Sequence, residues 1–167
     1  MPIRTLILMR HAKSDWADES LSDHERPLNK RGRRDAPRMA KWLSDQNLRP
    51  DVVLCSSAAR TCETFDLMSA IWSPKPQVSM TDSLYLAAPE QILRTIRSDS
   101  MDASCVMVLA HNPGITSLAA QLAGQPMEMA TAAATVFGVK VDDWGKLGVD
   151  TDATLIQTMR PKTLKDD

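Results

Sequence analysis

The chain has 167 residues, 43% of them hydrophobic, with 20 basic and 21 acidic side chains for a net charge of −1. That length fits one domain, and near-neutral charge excludes a global affinity for nucleic acid or anionic membranes, so any anion affinity must be local. No apolar run approaches the ~20 residues of a membrane span, and three cysteines (Cys55, Cys62 and Cys105) do not suggest a disulfide framework. The expectation is a cytoplasmic domain over residues 1–160, followed by a charged tail, 161–167, that frays.

The first element is an apolar run, Leu6-Ile7-Leu8, which reads as a buried strand and delivers Met9-Arg10-His11-Ala12 to its end. A polar loop follows over 13–27, carrying Trp16 and the charged cluster Asp23-His24-Glu25-Arg26. Asn29 is a suitable N-cap for a helix whose apolar positions include Ala36, Met39, Ala40 and Leu43. Pro37 falls inside that pattern, where it would cost about 3 kcal/mol, so a start near Ala36 or a kink is expected. Pro50 ends the segment. A second strand over 51–55 leads through Ser56-Ser57-Ala58-Ala59-Arg60-Thr61 into a helix over 58–71, with Phe65 and Met68 inward.

Pro74 and Pro76 bracket a loop before a weak edge strand over 77–80. Pro89 opens a third helix through Arg97, as proline does at a first turn. A third long strand over 105–110 runs into His111-Asn112-Pro113-Gly114, and a helix from Gly114 ends at Gly124. Alternating runs over 135–141 and 153–159 read as a strand pair. The pattern predicts an α/β fold, a three-layer α/β/α sandwich with a mostly parallel central sheet and an antiparallel edge strand.

In such sheets ligands bind outside the carboxyl ends of the strands. Three strand ends would there bring together Arg10, His11, Arg60 and His111. Arginine offers a planar fork of donors suited to phosphate oxygens, and histidine can be a nucleophile. Neither clustered carboxylates nor metal-ligand spacing accompanies them; His24 stands apart with only Asp23 and Glu25 beside it.

The ordered trio, each member following a strand, resembles the histidine phosphatase superfamily, which includes cofactor-dependent phosphoglycerate mutases. Arg10-His11-Ala12 stands where that superfamily has Arg-His-Gly. More narrowly the chain resembles the SixA-type phosphohistidine phosphatases. The resemblance implies His11 as nucleophile, with Arg10, Arg60 and His111 as the phosphate clamp and His111 acting as a third cation. It implies hydrolysis of phosphohistidine on a protein through a phospho-His11 intermediate, without metal or other cofactor. A phosphorylated protein of the phosphotransfer type, or a small phosphorylated molecule, would be the partner.

Departures from the superfamily pattern narrow the substrate. Leu86 lies where mutases carry a general-acid Glu, and Ala17 where they carry a phosphate-binding Asn. Phosphohistidine needs less help from an acid than an alkyl phosphate does. Asp82 and Glu90 are the nearby carboxylates that could substitute. Glu63, one turn past Arg60, could orient that arginine or simply face solvent. His24 and Arg26 read as loop residues in solvent, and Trp16 and Trp144 as packing. A phosphomonoesterase or mutase is the alternative enzyme, and a non-catalytic phosphate-binding module the alternative of another class.

Overall fold

The computed structural model describes residues 2–165. Six strands form one sheet in the order β3-β2-β4-β1-β5-β6: β1 (Ile3–Arg10), β2 (Val52–Ser56), β3 (Gln77–Thr81), β4 (Cys105–Ala110), β5 (Ala134–Lys140) and β6 (Ala153–Met159). The first four pair in parallel; β5 runs antiparallel to β1, and β6 antiparallel to β5. Four helices connect them: α1 (Lys30–Asp45), α2 (Ala59–Ser69), α3 (Pro89–Asp99) and α4 (Gly114–Ala123).

Alternation along β1 builds the two apolar layers, because successive side chains point to opposite faces. Leu6 and Leu8 pack with Ile92, Leu93 and Ile96 of α3 and Ile115, Leu118 and Leu122 of α4. Ile7 and Met9 pack with Met39, Ala40 and Leu43 of α1 and Phe65 and Met68 of α2. Helices therefore cover both faces, giving the three-layer α/β/α sandwich. The central strands β1, β2 and β4 are nearly continuous runs of buried residues, as parallel strands covered on both sides must be.

Two local expectations are corrected. Helix α1 starts at Lys30, not near Ala36, and Pro37 lies inside it. Asn29 caps the start by accepting from the Gly32 amide at 2.9 Å, and Gly32 packs so closely that a Cβ there would lie 2.2 Å from the Lys13 carbonyl oxygen. With the first turn anchored and Ala36, Met39, Ala40 and Leu43 buried, packing outweighs the proline penalty. The tail does not fray at Pro161: residues Pro161–Thr163 form a 3-10 turn, Pro161 is buried, and Leu164 packs against the α1–α2 layer. Residues 166–167 lie outside the described residues.

Register places the functional edge. Arg10 pairs with Ala110, and Cys55 pairs with Leu109. The residues that follow these strands, His11, Ser57 and His111, therefore emerge side by side at the carboxyl edge of the sheet.

Candidate active site

His11 and His111 emerge from adjacent strands with ring centroids 5.3 Å apart, and both are buried. His11 Nδ1 lies 2.6 Å from the carbonyl oxygen of Ala12. A carbonyl only accepts, so Nδ1 carries the proton and Nε2 presents its lone pair. Burial, with the cations Arg60, Arg10 and Arg26 nearby, holds the His11 pKa down at about 4, against the pull of the Ala12 hydrogen bond. The ring is neutral at physiological pH. Ala12 itself is buried, and its amide donates to Thr64 Oγ1 at 3.1 Å. Its backbone is not left-handed, so the methyl group is tolerated where the superfamily has Gly.

His111 differs from the sequence expectation of a third cation. Burial, then the proximity of His11 and Arg60, holds its pKa at about 3. Its Nε2 lies 2.7 Å from Ser56 Oγ, which also accepts from the Ala58 amide at 3.3 Å. The Ser56 hydroxyl is fully buried and Nε2 is the acceptor within reach of its proton, so it donates to Nε2. The imidazole proton then sits on Nδ1, which is buried without a partner. His111 is thus a neutral donor.

Arg10 donates from Nη1 to the Met129 carbonyl at 3.2 Å, while its Nε is buried and unpartnered. Burial and the neighbouring Arg60 lower its pKa. Among the described residues, only three buried side-chain polar atoms lack a partner, and two of them are Arg10 Nε and His111 Nδ1. Buried donors are normally paired, so two unpaired donors at neighbouring strand ends, one of them on a cation, fit an oxyanion.

Arg60 is buried at the start of α2. Asp23, not Glu63, orients it: Nη1 donates to the Asp23 carbonyl at 2.8 Å and Nη2 to Asp23 Oδ2 at 3.1 Å. Glu63 instead accepts from the Leu28 amide at 2.9 Å and from Arg33 Nε at 2.6 Å. Asp23 also accepts from the Tyr85 hydroxyl at 2.5 Å and from Arg26 at 2.7 Å. The Tyr85 bond above all, then Arg60 and Arg26, keep its carboxyl ionised below the usual range.

Two residues read as loop positions in solvent belong to this rim. Arg26 is only 6% exposed, donates to Asp15 O, Asp23 and Ser14 Oγ, and sits 3.2 Å from the centroid of the exposed Trp16 ring. His24 is half-buried; its Nε2 lies 2.9 Å from Ser57 Oγ, and its ring meets Tyr85 edge-on at 4.7 Å. Of the two candidate acids, Asp82 reaches the site through Ser57, whereas Glu90 is turned to Arg94 and Arg97. Leu86 is exposed. Trp144 is buried against Arg4, a packing residue. Among the described residues no group of three or more His, Cys, Asp or Glu side chains could hold a metal ion. Sequence reading missed Ser56, Ser57, Asp23 and Tyr85 as site residues; their only signal was position, at a strand end or in the loop cluster.

Residues 6–84 match the histidine phosphatase superfamily (branch 1). A protein from Nakamurella multipartitia, provisionally named phosphohistidine phosphatase SixA, superposes with a TM-score of 0.84 at 30% identity, covering 96% of this chain and 98% of that one. The chain belongs to the histidine phosphatase superfamily and is of the SixA type. A second protein provisionally given the SixA name, from Agrobacterium tumefaciens, is 25% identical with a TM-score of 0.82, over 96% of this chain and all of that one. An uncharacterised chloroplastic protein of Arabidopsis thaliana is 35% identical across 84% of this chain and 69% of its own. Membership supports phosphatase activity. No described helix is long and apolar enough to cross a membrane.

Proposed function

We propose that this chain is a metal-independent phosphohistidine phosphatase that acts on a phosphorylated protein through a phospho-His11 intermediate. The observation that carries the reading is a neutral His11, its Nδ1 committed to the Ala12 carbonyl, whose neighbours Arg10 and His111 each keep a buried donor with no partner of its own. Nε2 attacks phosphorus in line with the departing group. Arg10 Nε, the free donors of Arg60 and His111 Nδ1–H neutralise the equatorial oxygens, which is most of what phosphoryl transfer asks of a protein. Water then hydrolyses phospho-His11.

A phosphohistidine substrate is favoured by the apolar Leu86 at the superfamily's acid position and by the likeness to SixA-named proteins. Three free thiols suit a reducing compartment, which we take to be the cytoplasm. The test is hydrolysis of a phosphohistidine protein beside p-nitrophenyl phosphate and phosphoglycerate in EDTA, with wild type and His11→Ala. Wild type should prefer phosphohistidine, and rapid quench should trap an acid-labile phosphoenzyme absent from His11→Ala. Preference for phosphoglycerate, label elsewhere than His11, or a requirement for metal would overturn the reading.

A further inference from the structure

Asp82, Ser57 and His24 form a hydrogen-bonded line beside the carboxyl edge of the sheet. Ser57 follows Ser56, the partner of His111, and the pairing of Ser56 with Thr81 sets Asp82 next to it. The Ser57 hydroxyl donates to Asp82 Oδ1 at 2.5 Å, and its oxygen lies 2.9 Å from His24 Nε2. A hydroxyl has one proton, and this one is committed to the carboxylate. Ser57 Oγ can only accept from His24, which fixes a proton on Nε2 and leaves Nδ1 as the ring atom that gains or releases one.

Tyr85 joins His24 to the clamp. Its ring meets His24 edge-on at 4.7 Å and His111 edge-on at 5.5 Å. His24 also follows Asp23, whose carbonyl and carboxylate hold Arg60. The charged and titratable groups around His24 are Asp82 through Ser57, Asp23 and Glu25 on its own turn, the Tyr85 phenol, and His111 and Arg60 across the pocket.

The geometry points to His24 as the proton donor to the leaving group, with Ser57 and Asp82 as its positioning residues. This rests on the phospho-His11 reading. In the first half, the His11 Nε2 lone pair forms a bond to phosphorus while the bond to the leaving atom breaks and its electron pair goes to that atom. Cationic His24 gives its Nδ1 proton to the leaving group and becomes neutral. In the second half, a water oxygen bonds to phosphorus as its proton passes to His24 Nδ1, and the electron pair of the breaking P–N bond returns to His11. Phosphate is released and His24 is again cationic. An imidazolium acid suits an imidazole leaving group, because the proton then moves between groups of the same chemical kind. The acid thus comes from the loop after β1, not from the Leu86 position.

The test compares kcat/KM, which reports the half-reaction that forms phospho-His11, and its pH profile for wild type, His24→Gln, Ser57→Ala and His11→Ala on aryl phosphates from 2,4-dinitrophenyl to phenyl phosphate, with folding checked by circular dichroism. His24→Gln should lose about 10²-fold on phenyl phosphate, a typical general-acid contribution. Its loss on 2,4-dinitrophenyl phosphate, whose leaving group needs no proton, should be at least tenfold smaller. The alkaline limb of the kcat/KM profile on phenyl phosphate should vanish in His24→Gln. Ser57→Ala, which removes the acceptor that holds the His24 ring, should show the same leaving-group dependence with a smaller loss. Equal losses across the series, or an unaltered alkaline limb in His24→Gln, overturn the assignment. His11→Ala separates the two readings: if it turns over normally the phospho-His11 reading fails, and if it is inactive while His24→Gln loses uniformly only the His24 role fails.

Discussion

Asp23 holds Arg60 twice, by its backbone carbonyl at 2.8 Å and by its carboxylate at 3.1 Å. The fork that should clamp a phosphate is thereby aimed by a residue 37 positions earlier in the chain, in a 3-10 turn of the loop after β1.

The first expectation separates the two carboxylates that could have done this. Asp23→Ala should lower kcat on p-nitrophenyl phosphate by about tenfold, since misplacing a clamp donor forfeits part of the roughly 10²–10³ that a full donor contributes. Glu63→Ala should leave kcat near wild type. It should instead cost about 1–2 kcal/mol in urea unfolding, because the buried Leu28 amide loses its acceptor and Arg33 its partner. The reverse pattern would return the orienting role to Glu63.

Arg60 and Arg26 should differ in kind. Arg60→Ala should reduce kcat by about 10²–10³ with little change in stability. Arg26→Ala should destabilise by about 1–3 kcal/mol, because it strips partners from Ser14, the Asp15 carbonyl and Asp23 inside a buried network. Its kcat should stay within about tenfold of wild type. Paired kinetics and urea titrations decide, and equal kcat losses would contradict the geometry.

What the sequence made legible is what periodicity and turn chemistry encode. The apolar runs located β1, β2 and β4, and with them placed Arg10, His11, Arg60 and His111 at one sheet edge. The rim was not legible, because its bonds join residues across irregular loops: Asp23 with Arg60, His24 with Ser57, Ser57 with Asp82. Arg26 looked like a solvated charge, yet an arginine can be buried when every donor finds an acceptor and a ring covers its face. The protonation of His111 was misread for a related reason. Its charge depends on burial and on neighbouring cations, neither of which a motif displays.

Gly114, three residues after His111, should accept no side chain. A Cβ there would lie 1.8 Å from the Ala87 carbonyl oxygen, a backbone atom with no rotamer to yield. The restriction is purely steric, since Gly114 is an ordinary first-turn residue of α4. Gly114→Ala should cost about 3 kcal/mol, the upper end of the overpacking range. Gly148, which has open space around it, should accept alanine with a change below about 0.5 kcal/mol. Thermal unfolding of the two variants is the comparison.

The two buried histidines should make the fold acid-sensitive before its carboxylates titrate. An unfolded histidine binds its proton near pH 6.5, whereas His11 and His111 resist it down to about 4 and about 3. Above pH 6.5 both states are neutral at these positions and no pH dependence arises. As pH falls below 6.5 the unfolded chain takes up protons that the folded chain refuses, so stability declines. Each histidine contributes at most about 1.4 kcal/mol per pH unit, until its folded pKa is reached. Urea unfolding between pH 7.5 and pH 5 should therefore show stability falling with acid, with a slope approaching two protons. In His111→Gln the slope should drop by about one proton, because Gln keeps a hydrogen-bonding group toward Ser56 but does not titrate. A flat profile in wild type, or an unchanged slope in His111→Gln, would mean that His111 is already protonated in the folded protein and meets phosphate as a cation.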